Sequence, residues 1–324
     1  PLLRNVLCGS SLKMELDKET LPLYTFAQGN NSFIESSWRL KGDGSMLVES
    51  LVRDIRSMGG EVICNSGVVE LIEKDGQLVA ARTVNGELYE ADWFISDTHP
   101  TVTVDLVKES TRIRKVYRRR IHSLSNTYGM YTVSLIIKPN TLKYFNWNQY
   151  IYKKPNVWTY YREDSPVSGI LVCCRVPEDG SPYTRYVDIV TPMLWDEVAQ
   201  WNNTTVGHRG DEYVAFKERK ANECITLAET FIPGLRHMIE GHFSSTPLTY
   251  RDYTATPEGS AYGVRKDWHS PMMTLLTPKT PIPNLLLTGQ SLTIHGLLGV
   301  SMTSLFTCAE ILGKETVYAI TKTE

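Results

Sequence analysis

Two dipeptides, Asp75-Gly76 and Asn85-Gly86, constrain the folding of this chain more than any other feature. Asp-Gly and Asn-Gly accept the positive φ angles of tight hairpin turns, and here they separate short runs rich in β-formers. Those runs span 68–73, 78–84 and 87–91, so the spacing predicts a three-stranded antiparallel meander. A helix precedes it. Ser45 is placed to cap that helix, Met46, Leu47, Leu51, Ile55 and Met58 mark an apolar face at helical spacing, and Gly59-Gly60 stops it. The intervening residues 61–65 read as a short strand, as do 93–96, which end near Pro100.

A second constellation lies at the other end of the chain. Pro278, Pro281 and Pro283 make an extended approach to a buried strand at 284–288. A glycine-containing loop follows at 289–299, then a helix at 301–312 with Met302, Leu305, Phe306 and Ala309 on one face and Gly313 at its end. The first amides of a helix have no internal partners and, with the helix dipole, attract negative charge. Gly296 and Gly299 carry no side chain, so a flat ligand can approach the backbone. That suits a group which becomes anionic on reduction, as a flavin does at N1 and its C2 carbonyl. The middle, 101–279, has another texture. It carries most of the aromatics, strands expected at 128–138, 169–176 and 184–191, and a helix at 210–231 with a short one after it. Residues 1–39 read as one or two helices and a loop.

Composition excludes some functions. With 34 basic and 36 acidic residues the net charge is −2, which offers no electrostatic ground for nucleic acid as a partner; the basic run 112–120 reads as a solvated helix face. The six cysteines, Cys8, Cys64, Cys173, Cys174, Cys224 and Cys308, show no metal-ligand spacing and fit a reducing compartment, so the expected location is cytoplasmic. No apolar run is long enough to span a bilayer.

Read in order, four segments resemble the phytoene desaturase and amine oxidase superfamily. They are Lys41-Gly-Asp-Gly-Ser-Met-Leu47, Gly59-Gly-Glu-Val62, Asn65-Ser-Gly-Val-Val-Glu-Leu-Ile72 and Glu90-Ala-Asp-Trp-Phe-Ile-Ser-Asp-Thr-His-Pro100. Pro283-Asn-Leu-Leu-Leu-Thr-Gly-Gln290 with His295-Gly-Leu-Leu-Gly-Val300 is similar to that family's last flavin-contacting segment. Thr288-Gly-Gln290, with Thr246-Pro-Leu248 and Gly259-Ser-Ala-Tyr-Gly263, leans toward the retinol saturase branch, within a group that also holds carotenoid isomerases.

The resemblance implies an α/β (α+β) fold: an incomplete FAD/NAD(P)-binding Rossmann-like domain interleaved with a mixed-sheet substrate domain. On that basis 36–100 and 280–324 belong to the FAD-binding part, and 101–279, with 1–35, to the substrate part. The strand and Gly-x-Gly-x-x-Gly turn that such proteins use to hold the pyrophosphate are not found here, so the chain is expected to be a C-terminal fragment that retains FAD poorly and is inactive alone. The loss of central strands is expected to leave an apolar face exposed and to favour self-association.

Carried over residue by residue, Val68 corresponds to the backbone that meets the adenine. Gln290 occupies the place where an acidic residue usually binds sugar hydroxyls, and Gly289 before it is also among the cofactor-binding residues the resemblance implies. Leu298, Gly299 and Val300 face the pyrimidine edge of the flavin, with His295 close by. The implied activity is FAD-dependent saturation or desaturation of a carbon–carbon bond in a hydrophobic polyene. The alternatives are a flavin-dependent isomerase and a non-catalytic prenyl or lipid binder like the Rab GDP-dissociation inhibitors. The aromatic run Tyr144, Phe145, Trp147, Tyr150, Tyr152, Trp158, Tyr160 and Tyr161 is a candidate tunnel lining or plain sheet packing. Tyr253, Tyr262, Asp267 and His269 are candidate acids or bases by position alone. The implied partners are a hydrophobic small molecule and, because such substrates dissolve in lipid, peripheral contact with a membrane.

Overall fold

The computed structural model describes residues 2–14, 17–35, 37–162 and 166–322. The chain forms two compact units, one of residues 1–62, 128–253 and 258–261, the other of 63–127, 254–257 and 262–324.

The first unit is built on a five-stranded sheet in the order Gln149–Tyr152, Gly169–Cys174, Tyr186–Met193, Gly129–Ile137, Ile239–Ser245. Every pairing is antiparallel, so the expected mixed sheet is corrected: no crossover returns a strand in the same direction. Strand Ile239–Ser245, where only a helix ending near Gly241 was expected, pairs along Gly129–Ile137. On Gly129–Ile137, an interior strand, Tyr131, Val133, Leu135 and Ile137 alternate onto one fully buried face, as a period of two requires. The helix Asp211–Ala228 contributes Phe216, Ala221, Cys224, Ile225 and Ala228 to the same core. Of the aromatic run, Phe145 joins this core with Tyr144 packed against it. Phe145, Trp158, Tyr160 and Tyr161 are buried, Phe145 meets Phe231 edge to face at 5.5 Å, and Tyr152 meets Tyr160 at 5.2 Å.

The Ser45–Ser57 helix has no buried residue, and Met46, Leu51, Ile55 and Met58 stand exposed. Its start corrects one expectation: Ser45 lies inside the helix, and Asp43 supplies the side-chain oxygen, accepting from the Ser45 amide at 2.8 Å. Gly59, at φ +84°, ends it. Residues 61–65 form no strand, because no neighbour pairs with them among the described residues.

In the second unit the meander is Val68–Lys74, Gln77–Thr83 and Leu88–Glu90. Asp75 (φ +53°) and Gly76 (φ +81°) form the two-residue turn that the sequence demands. The second turn differs: the Thr83 amide donates to Glu87, leaving a three-residue loop in which Gly86 alone takes positive φ. Strand Phe94–Ser96 runs parallel to Leu285–Leu287. Residues 101–127 and 262–279, read as substrate domain from sequence, fall within this unit. Val104, Ile113, Ile121, Val264 and Leu276 share one buried cluster with Leu71, Leu285 and Leu287, so burial assigns these segments.

Burial also orders the cysteines. Desolvation pushes the Cys174 and Cys224 thiols up to about 12, whereas Cys64 is exposed. A thiol reagent under native conditions should label Cys64 first and reach Cys174 and Cys224 only on unfolding, as peptide-resolved mass spectrometry reads. Rapid native labelling of Cys224 would contradict the packed core. No helix of the described residues is long and apolar enough to cross a membrane, and none of their His, Cys, Asp and Glu side chains form a metal-sized group.

Candidate functional site

The site grows from the end of strand Leu285–Leu287. Gly289 turns the chain at φ +90°, a conformation glycine alone adopts cheaply. The turn is also crowded: a Cβ at Gly289 would lie 1.8 Å from Asp97 Oδ1. Asp97 follows strand Phe94–Ser96, so the parallel pairing of the two strands brings these turns together. No hydrogen bond to the Asp97 carboxyl is found among the described residues, and desolvation raises its pKa. Thr288 Oγ1 next door is buried and equally without a partner among the described residues. Two polar groups thus converge on Gly289 with their hydrogen-bonding capacity unspent.

The following helix, Gly296–Leu312, starts five residues earlier than its sequence pattern suggests, with His295 in the N-cap position. His295 makes no side-chain cap, and the first turn holds no acidic residue. The leading amides thus have neither a side-chain cap from His295 nor an acid of the first turn to meet them, and the helix dipole makes them a place for negative charge. Gly296, at φ +78°, has open space where a Cβ would be. Gly299 is the opposite case: its Cβ would meet the Ile294 carbonyl oxygen at 2.2 Å, so glycine is needed for the helix to turn so closely on the loop.

This helix presents a different face from the one expected. Gly299, Thr303 and Thr307, each one turn apart, are its buried residues. Thr307 Oγ1 donates to the Leu287 carbonyl at 2.9 Å, and Thr303 Oγ1 to that of Gly299 at 2.9 Å. Small residues win the inner face because they allow close approach to the strand. Met302 and Phe306 are turned outward, and with Leu305, Ala309, Val317 and Tyr318 they line an open apolar groove of ≈ 730 Å³ along helix Lys314–Ile320.

Of the sequence-predicted residues, Gly289, Gln290, His295, Leu298, Gly299 and Val300 lie on this one strand–loop–helix unit. Val68 is the half-exposed first residue of its strand, paired opposite Thr83. Its hydrogen bonding is that of the meander. His295 stacks on Tyr262, with ring centroids 4.0 Å apart. Asp267 and His269 are spent on each other: Asp267 Oδ1 accepts from the His269 amide and ring, both at 2.9 Å. Burial raises the Asp267 pKa, but these bonds outweigh it and leave the carboxyl below its usual range. Tyr253 is exposed.

Two residues were not singled out from sequence. Lys266 is buried, and its Nζ donates to the carbonyls of Thr274 (2.9 Å), Ser291 (2.6 Å) and Leu292 (2.9 Å). It pins the loop that follows Gln290. His99 is also buried and caps the helix Pro100–Leu106, accepting at Nδ1 from the Thr101 amide, with Asn126 Oδ1 2.9 Å from Nε2. Burial first, then the Lys266 charge, lowers its pKa. A lone charged residue carries no period, and Lys266 sits between Arg265 and Asp267 in a polar stretch, so nothing in the sequence hints at its burial.

No protein-family model matches the chain. It is 30% identical over 145 residues to all-trans-retinol 13,14-reductase of Macaca fascicularis, a match spanning 44% of this chain and 24% of that protein. It is 22% identical over 308 residues to the Danio rerio protein of that name, spanning 87% of this chain and 50% of the other. The chain thus corresponds to at most about half the length of these relatives. Among solved structures, an oxidoreductase from Methanosarcina mazei superposes with a TM-score of 0.50 at 14% identity, covering 85% of this chain and 53% of that one. The likeness extends to the fold.

Proposed function

We propose that this chain supplies the flavin's pyrimidine-edge site of an FAD-dependent oxidoreductase that saturates or desaturates a carbon–carbon bond in a hydrophobic polyene, of retinoid or carotenoid type. The observation that carries this reading is the N-terminus of helix Gly296–Leu312, which has no side-chain cap from His295 and no acid in its first turn and is joined to the Gly289 turn by the loop 290–295. The similarity to retinol reductases supports the substrate class.

The residues present fit the cofactor. The first amides of the helix, those of Gly296, Leu297 and Leu298, would stabilise negative charge at the ring's pyrimidine edge, and the bare Gly296 would admit the ring. Gly299 and Val300, expected at that edge from sequence, lie one turn in, where their N–H groups bond within the helix. Gln290, an amide where relatives of this architecture carry an acid, can both donate to and accept from a sugar hydroxyl. Thr288 Oγ1 and the Asp97 carboxyl, both unspent, are further hydrogen-bonding groups for the bound molecule. Val68 would meet the adenine through its backbone. When bound, FAD supplies the hydride chemistry. The chain's own task is to hold and orient the ring and to keep the anionic form favoured.

The test is product formation. The protein in its natural full length, loaded with FAD and reduced chemically without oxygen, should shorten the conjugation of all-trans-retinol or a carotenoid and move its absorption to shorter wavelength. An unchanged polyene spectrum across both substrate types would overturn the substrate class.

A further inference from the structure

The segment 268–273, Trp-His-Ser-Pro-Met-Met, is exposed throughout, with Trp268 at 56% and Met272 at 84% exposure. Exposed apolar side chains are common singly, but a contiguous tip of this kind marks a contact surface. The loop is held open at its base. Lys266 Nζ donates to the Thr274 carbonyl, and the Asp267 amide donates to Thr274 Oγ1 at 3.1 Å. The Thr274 amide donates to the Ser270 carbonyl at 3.2 Å. With both ends pinned, the tip is fixed outward.

Beside it runs the basic helix Lys115–His122. Arg120 Nη2 donates to the Met272 carbonyl at 3.4 Å, which places the helix against the tip. Its charges divide into two groups. Arg118 is spent on the carbonyls of Val104 and Val107, and with His122 on Asp105. Arg114, Lys115 and Arg119 are exposed and have no ion pair or side-chain hydrogen bond among the described residues. Lys115 and Arg119 lie one turn apart, next to the stripe of Val116, which is 76% exposed, and Arg120.

We propose that this loop and helix form a docking surface for an anionic lipid bilayer, with Trp268, Met272 and Met273 entering the headgroup layer and Arg114, Lys115 and Arg119 pairing with lipid phosphates. Charge complementarity selects the occupant. The net charge of −2 offers no general attraction to anions, so the three unspent cations act locally. Thioether and indole tips on the loop that Arg120 of the same helix contacts suit an interface that is apolar below and anionic above. The surface does not rest on the flavin reading, and its failure would leave that reading intact.

The test is sedimentation of the natural full-length protein with vesicles of phosphatidylcholine alone or with about a third phosphatidylserine. The protein should pellet with the anionic vesicles, and salt should weaken the binding. Replacing Arg114, Lys115 and Arg119 by Gln should lower the affinity about 100-fold, near fivefold for each charge removed. Trp268→Ser with Met272→Ser should also weaken binding and abolish quenching of tryptophan fluorescence by brominated lipid. Unchanged thermal midpoints would show that the variants fold. Equal binding by the triple variant, no binding to anionic vesicles, or binding without quenching that duplex DNA displaces would each overturn the proposal, the last by showing a plain polyanion surface.

Discussion

Gly289→Ala is expected to cost about 3 kcal/mol of stability, more than most single surface or loop changes. Two causes add. The backbone at φ +90° is strained for any residue with a Cβ, and that Cβ would sit 1.8 Å from Asp97 Oδ1. The Asp97 carboxyl would have to swing away from Gly289. Removing the obstacle separates the two terms: in a Gly289→Ala, Asp97→Gly double variant the collision is gone and about 1–2 kcal/mol of backbone strain remains. Urea unfolding measures both. A single variant as stable as the parent would show that this turn is not built as described.

The second large effect is a pH dependence carried by Lys266. Burial pushes its ammonium down from the usual lysine value, to about 7. In the unfolded chain the group titrates near ~10.4, so between those values the unfolded state binds more protons than the folded one. Stability must therefore rise with pH across that window, by at most about 1.4 kcal/mol per pH unit for this one group. The three carbonyl acceptors work the other way. A neutral amine has two N–H groups for three acceptors, Thr274, Ser291 and Leu292, so these bonds favour the ammonium and narrow the window from its lower end, leaving the limiting slope unchanged. Lys266→Met removes the titrating group, and its unfolding free energy should lose the slope above neutrality. Identical slopes in parent and variant would place the effect elsewhere.

Local chemistry made much of the scaffold legible. Asp75-Gly76 fixed a hairpin because a two-residue turn needs two positive φ angles, and both residues adopt them. The glycine-bearing loop at 289–299 and its helix were visible for the same reason. Where expectations failed, a tertiary contact decided the outcome. Periodicity identified Met302, Leu305, Phe306 and Ala309 as an apolar face, yet the strand at Leu285–Leu287 is approached by Gly299, Thr303 and Thr307, whose threonine hydroxyls bond locally. Residues 61–65 had strand propensity but no partner to pair with. Lys266, His99 and the unspent Asp97 became visible only when segments distant in sequence met, since a buried polar residue leaves no period behind. The amphiphilic surface likewise needs 115–122 and 268–273 together, and neither segment alone has that character.

Ile95, Leu297, Leu298, Met302 and Phe306 present exposed apolar surface on the second unit. Such a face favours association of the 324-residue chain with itself or with another segment, and a larger mass in light scattering than that of the monomer is the expected consequence.

The central claim is that the turn at Gly289 and the helix start at Gly296–Gly299 hold a flavin. The visible absorption spectrum of the natural full-length protein, purified without added cofactor, tests it most directly. Bands near ~370 and ~450 nm, lost or weakened in Gly299→Val, are the predicted result, since the bound flavin is what carries the hydride chemistry. A folded, colourless protein that also takes up no added FAD would contradict it.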